Sequence, residues 1–199
     1  MNRLPVMEHF YTLQGEGKFA GQAAYFIRVG GCDVGCVWCD VKESWNANAH
    51  PQLSIEELIE EIQKTSAKMV VVTGGEPAMY DLTEWTKALK DAGFLTHIET
   101  SGAYPITGSW DWVTFSPKKF KTPLEEECRK ADELKVIVFN ASDFKWAEIY
   151  EKQVNEDCQL YLQPEWDKEK EMSPLIIGYI KQNPQWRISI QTHKYLNIP

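Results

Sequence analysis

Short apolar segments alternate with helical ones along this chain, and each stops at a cluster of polar or glycine residues. Strands are expected at 23–29, 68–73, 94–100, 112–115, 133–139, 159–164 and 186–191, with a further short extended piece at 6–12. About seven strands interspersed with helices argue for an α/β domain with a mostly parallel sheet. The polar clusters fall at 32–39, 73–76, 99–102, 116–118, Gln163 and 191–194, all at C-terminal strand ends. In barrels and open α/β sheets, that edge carries the site.

The helices have their own signals. Ser54 and Glu57 form a capping box, and Ile55, Leu58, Ile59 and Ile62 recur as one apolar face. Glu56, Glu57, Glu60 and Glu61 read as the solvated face of that helix. Asp81 is expected to cap a helix running to about Ala92. Further helices are expected near 143–153 and 169–182. Residues 41–53 show no period and read as a loop, with His50 a solvated histidine. No repeat or linker divides the chain, and 199 residues suffice for one domain with a real core.

The first strand runs into Cys32, Cys36 and Cys39, spaced C-x3-C-x2-C. Iron–sulfur clusters are held by thiolates, usually four. Three from one loop leave one iron to a distant cysteine, to water or to a small molecule. Structural zinc is the competitor, but such sites usually pair two ligand couples, and no second couple exists here. Cys128 and Cys158 are isolated and read as structural. An odd count of five cysteines, three of them clustered, argues against a secreted disulfide framework.

Charge narrows the partners. A net charge of −8 disfavours nucleic acid, whose phosphates want cations, unless the basic run at 118–121 is used. No apolar run reaches the roughly 18 residues of a membrane span. No signal peptide is recognisable at the start, and the expected location is the cytoplasm. Eight Trp, eight Tyr and eight Phe are enough to line a pocket for a flat ligand.

Single residues add detail. Arg28 lies inside an apolar strand, so its guanidinium needs an ion-pair partner or an anionic ligand. Gln14-Gly15-Glu16-Gly17 reads either as a hairpin turn or as a loop whose backbone approaches a ligand closely. Gly74-Gly75-Glu76-Pro77 ends the 68–73 strand with open backbone groups, and Glu76 offers an acceptor for an ammonium group. By themselves His193 and Lys118 read as surface residues.

The cysteine spacing after the first barrel-type strand, with Gly74-Gly75-Glu76-Pro77, resembles the radical S-adenosylmethionine superfamily. The resemblance implies a reduced, partial TIM-type barrel and a [4Fe-4S] cluster on Cys32, Cys36 and Cys39. It also implies S-adenosylmethionine on the open iron, cleaved by an electron to give a 5′-deoxyadenosyl radical. Within that superfamily, further stretches resemble the 7-carboxy-7-deazaguanine synthase family over nearly the whole chain. They are residues 11–17, 26–28, Cys39-Asp40, 73–77, 99–102, 116–118 and 191–199.

This second resemblance implies a lyase reaction. The radical takes the C6 hydrogen of 6-carboxy-5,6,7,8-tetrahydropterin, the ring contracts, and ammonia leaves. The product is 7-carboxy-7-deazaguanine, used for queuosine and other deazapurines. S-adenosylmethionine is re-formed when the product radical recovers the hydrogen. Gln14, Glu16, Arg28, Thr73, His193 and the Pro199 carboxylate are implied as substrate contacts. Gly74, Gly75, Glu76, Ser101, Ser116, Lys118 and Gln163 are implied for S-adenosylmethionine. A homodimer and an electron donor such as flavodoxin or ferredoxin are implied as well.

One position departs from the family. A Thr or Ser usually follows the Cys-Asp pair and helps bind Mg2+. Here Asp40 is followed by Val41, which cannot coordinate a metal. The expectation is an enzyme that needs little or no Mg2+, with Lys42 or Arg28 supplying the positive charge. Two other readings are open, one within the superfamily and one from another class. A glycyl-radical-enzyme activase would not need the motifs at 14–17 and 192–199. A non-catalytic zinc- or cluster-stabilised binding module is separated by metal content, with about four irons per chain supporting the enzyme and zinc alone rejecting it.

Overall fold

The computed structural model describes residues 3–199. In chain order the elements are β1 (Arg3–Leu13), β2 (Ala23–Val29), β3 (Gln52–Ser54), α1 (Ile55–Gln63), β4 (Met69–Gly74) and α2 (Thr83–Asp91). Then come β5 (Leu95–Thr100), β6 (Trp112–Phe115), α3 (Glu125–Cys128), β7 (Glu133–Val138) and α4 (Asp143–Glu151). The last are β8 (Gln159–Pro164), α5 (Glu169–Gln182), β9 (Trp186–Ile188) and α6 (Thr192–Leu196).

The strands form one sheet in the order β3-β1-β2-β4-β5-β6-β7-β8-β9. From β2 to β9 every pairing is parallel, while β1 pairs antiparallel with both β2 and β3. The sheet is open, with β3 and β9 at its edges, as a partial TIM-type barrel requires.

The two-residue period of a strand sorts the side chains. On β2 and β4, Tyr25, Ile27, Val29, Val70 and Val72 pack toward α1 and α2 with Leu58, Ile62 and Trp85. On β7 and β8, Leu134, Val136, Val138, Leu160 and Leu162 join Ala147, Met172 and Ile176 of α4 and α5. The opposite face carries a small apolar group, Ala24, Phe26, Met69 and Val71, packed against Phe10 and Phe19. Beyond that group the same face turns polar, with Arg28, Thr73, Glu99, Lys135 and Gln163.

Several expectations need adjustment. The loop at 41–53 contains two 3-10 turns, Lys42–Trp45 and Ala47–Ala49, and the short strand β3. His50 is half-buried, not solvated, and its ring bonds the Glu43 carbonyl at 2.9 Å. Asp81 accepts from Thr83 N–H at 2.9 Å, but the N-cap position of α2 is Leu82. β9 stops at Ile188, and α3 and α6 were not foreseen, because four or five residues carry no readable period. The capping box forms as expected: Glu57 N–H donates to Ser54 Oγ at 3.4 Å, and Ser54 N–H donates to the Glu57 carboxylate at 2.7 Å. Cys128 and Cys158 are buried core residues. Among the described residues no helix is long and apolar enough to cross a membrane.

Candidate active site

One cavity opens at the C-terminal edge of the sheet. Cys32, Cys36 and Cys39 share its wall with all the other residues expected at the site. The loop holding the thiols is tied at both ends. Gly31 N–H donates to the Ser44 carbonyl at 2.6 Å and Cys32 N–H to the Trp45 carbonyl at 3.2 Å. Asp33 accepts from Tyr104 Oη at 2.5 Å and from Lys121 Nζ at 2.6 Å. Lys119 pairs with Asp143 at 2.5 Å, so two lysines of the 118–121 run are already occupied by carboxylates.

The turn after β4 lies against that loop. Gly75 N–H donates to the Val29 carbonyl and Glu76 N–H to the Gly31 carbonyl, both at 2.8 Å. A Cβ on Gly75 would strike the Gly31 backbone, so only glycine allows this approach. Glu76 is 1% exposed, and its carboxylate is filled by its own chain. It accepts from Ala78 N–H at 3.0 Å, Thr100 Oγ1 at 2.5 Å, Ser101 N–H at 2.8 Å and Ser101 Oγ. A carboxylate has about four acceptor sites. Its side chain therefore builds the turn.

Ser116 and Lys118 follow β6. Lys118 Nζ donates to Ser116 O at 2.8 Å and to Ser116 Oγ at 2.5 Å, and stands 5.8 Å above the Trp38 ring. Burial pushes its pKa down, and the facing Cys36, Glu76 and Glu16 oppose that. Lys118 is thus a cavity residue, not a solvated charge. Gln163, 2% exposed, accepts from Ser189 Oγ at 2.7 Å.

The loop after β1 forms the opposite side. Glu16 N–H donates to Gln14 Oε1 at 3.0 Å, and Gln14 Nε2 donates to Glu99 Oε1 at 3.0 Å. Glu16 bonds Lys135 and accepts from Gln191 Nε2 at 2.9 Å. Burial pushes the Glu16 carboxyl up, but the Lys135 charge and the hydrogen bonds win, holding it near 2. A Cβ on Gly15 would enter the His193 ring, which explains the glycine beside it. Burial lowers the His193 pKa, so its imidazole is neutral at pH 7. Arg28 Nε lies 3.0 Å from Glu8, within ion-pair reach, yet its N–H is misdirected and makes no hydrogen bond. The ion-pair reading of Arg28 therefore holds, and the same Nε–H remains a buried donor without a hydrogen bond.

Lys135 and Glu165 also line this cavity and were missed, while Glu99 and Gln191 lie within the polar strand ends expected there, without an individual role. The signal for Lys135 was the one that flagged Arg28, a charge at an inward position of an apolar strand. Glu165 has a buried carboxylate oxygen with no hydrogen-bond partner, an acceptor waiting for a donor.

A parallel, open barrel with three thiols and a glycine turn at its C-terminal edge defines a radical S-adenosylmethionine enzyme. Residues 26–139 match the family model described as the Radical SAM superfamily. The sequence is 57% identical over 196 residues to the 7-carboxy-7-deazaguanine synthase of Flavobacterium psychrophilum, covering 98% of this chain and 93% of that one. It is 36% identical to the enzyme of that name from Escherichia coli, covering 98% of each. The fold superposes on the crystal structure of QueE from Escherichia coli with a TM-score of 0.87 at 33% identity, covering 96% of this chain and 95% of that one. The chain belongs to the 7-carboxy-7-deazaguanine synthase family of radical S-adenosylmethionine lyases.

Membership implies a [4Fe-4S] cluster and S-adenosylmethionine, and the residues present fit both. Three soft thiolates suit iron. Burial raises the Cys36 pKa to about 11 and also raises that of Cys32, so loading must release their protons. The turn backbone and the orphan Glu165 oxygen suit a ligand with an ammonium group, hydroxyls and a purine amine. Among the described residues no three His, Cys, Asp or Glu side chains converge as ligands of one metal ion.

Mg2+ does not fit. Val41 has no donor, and Lys194 Nζ occupies Asp40 at 3.1 Å. Of the two cations expected to compensate, Arg28 lines the cavity, whereas Lys42 is exposed on its 3-10 turn.

Proposed function

We propose that the protein converts 6-carboxy-5,6,7,8-tetrahydropterin into 7-carboxy-7-deazaguanine with loss of ammonia. The observation that carries this is one cavity holding the cysteine loop at one side and Gln14, Glu16, Arg28 and His193 at the other. When bound, the cluster and S-adenosylmethionine supply the radical that takes and returns the C6 hydrogen.

The protein's own groups bind and orient. Cys32, Cys36 and Cys39 hold the cluster. The backbone of Gly74 and Gly75, in a turn braced by Glu76 and Ser101, holds the methionine end of the cofactor. Ser116, Lys118, Gln163 and Glu165 hold the rest of it. Arg28 has a free N–H and a fork that suits the substrate carboxylate. Gln14, Glu16, Thr73 and the Pro199 carboxylate offer donors and acceptors to the pterin edge. Neutral His193 donates through one ring nitrogen and accepts at the other. Phe10, Phe26, Trp38 and Trp166 line the cavity, suit a flat ring and exclude water.

In this reading residues 1–199 act as one radical S-adenosylmethionine domain in a cytoplasmic homodimer, reduced by a flavodoxin or ferredoxin. Mg2+ is not required. The test is anaerobic incubation of the reconstituted protein with the carboxypterin, S-adenosylmethionine and a reductant, followed by mass spectrometry. Formation of 7-carboxy-7-deazaguanine is expected. Reductive cleavage of S-adenosylmethionine with no deazapurine would contradict the substrate assignment.

A further inference from the structure

Lys135 is the most buried cation-bearing side chain at the site, 5% exposed, in the middle of β7. Its neighbours Leu134 and Val136 face the helices, so Lys135 points into the cavity. There it bonds Glu16 from the loop after β1 and lies 3.1 Å from Glu99 on β5. Three distant parts of the chain thus meet on one ammonium.

A buried ion pair is weak evidence for stability, since apolar residues of similar volume serve as well or better. This one instead acts on what its two carboxylates can accept. Each oxygen of Glu16 and Glu99 has one partner: Gln191 and Lys135 for Glu16, Gln14 and Lys135 for Glu99. With about four acceptor sites per carboxylate, roughly half remain free. Glu76, by contrast, is saturated. Two neighbouring carboxylates without a cation would repel each other, and one would take up a proton. A protonated carboxyl donates where an acceptor is wanted.

The 2-amino-4-oxopyrimidine ring of a pterin presents adjacent N–H donors along one edge, which match a carboxylate as an arginine fork does. We propose that Lys135 is a positioning residue for the substrate, fixing Glu16 and Glu99 as paired acceptors for that donor edge. This rests on the pterin reading above. Glu133, two residues earlier, closes the arrangement from below: it accepts from Lys18 N–H at 2.9 Å and holds the turn that carries Glu16. Gly17 can have no side chain there, because Glu133 occupies the space.

The test is Lys135→Met, which keeps the stem and removes the charge. Its KM for the carboxypterin is expected to rise at least tenfold with kcat within about threefold. The iron content and the shift of the cluster's paramagnetic resonance on adding S-adenosylmethionine should match wild type. Lys135→Arg, which restores a cation, is expected to hold the KM within about threefold and decides the matter if Lys135→Met does not fold. An unchanged KM in folded Lys135→Met overturns the proposal. So does a folded Lys135→Arg with a tenfold higher KM, or loss of the cofactor-induced shift in either variant. Wild type that shows the shift but makes no deazapurine overturns the substrate reading, and this inference with it. Wild-type turnover with an indifferent Lys135→Met overturns this inference alone.

Discussion

Lys194 Nζ lies 3.1 Å from Asp40 Oδ2, joining α6 to the residue that follows the third cysteine. The same ammonium sits 4.9 Å above the Trp166 ring. A cation therefore already neutralises the one carboxylate beside Val41. The pair is partly exposed, and such pairs contribute at most about 1 kcal/mol. Lys194→Ala is thus expected to leave thermal stability nearly unchanged. Chelator-treated wild type is expected to keep most of its turnover, with Mg2+ adding less than about twofold. A large, saturable Mg2+ stimulation would refute that expectation.

Glu76 sets the strongest local requirement. Replacing it by Ala leaves the Thr100 and Ser101 donors buried without an acceptor. Each orphaned group costs about 1–3 kcal/mol. Glu76→Ala is expected to lower the unfolding free energy by about 3 kcal/mol and to weaken S-adenosylmethionine binding. Glu76→Gln keeps the shape and part of the acceptor set, so it should lie between Ala and wild type. Urea unfolding and equilibrium cofactor binding measure the two effects. Full stability in Glu76→Ala would mean that the turn is held by something else.

His97 gives the fold a pH signature. It is 5% exposed, packed 4.6 Å from Phe19 on the inner face of β5. Burial lowers its pKa from 6.5 to about 4, against the raising influence of Asp111 and Glu99. The unfolded chain then binds the proton more readily than the folded one. The resulting stability is present above pH 6.5 and is lost as pH falls toward 4. At 1.36 kcal/mol per unit, the loss is up to about 3 kcal/mol. Denaturant titrations at pH 7 and pH 4.5 should show it in wild type and not in His97→Phe. Equal pH slopes in the two proteins would remove His97 as the cause.

These groups differ in how visible they were beforehand. The strands at 112–115 and 159–164 and the Ser54 cap were legible because period and capping chemistry are local. So were the cysteine loop and the Gly74–Gly75 turn, where the chemistry lies within a few consecutive residues. The bonds of Lys135 to Glu16 and Glu99 span 119 and 36 residues, and that of Lys194 to Asp40 spans 154. No window of sequence contains them. In the sequence Glu76 looks like a free acceptor because its donors, Thr100 and Ser101, come from the neighbouring strand's end. Only the parallel register of β4 and β5 brings them to it.

A three-thiol loop leaves one iron of a four-iron cluster for the cofactor. The most direct test is iron analysis and paramagnetic resonance on reduced, anaerobically reconstituted protein, titrated with S-adenosylmethionine. The expected result is about four irons per chain and a spectrum that changes saturably with the cofactor, both lost in Cys36→Ala. Zinc in place of iron, or a cluster spectrum that S-adenosylmethionine leaves unmoved, would contradict it.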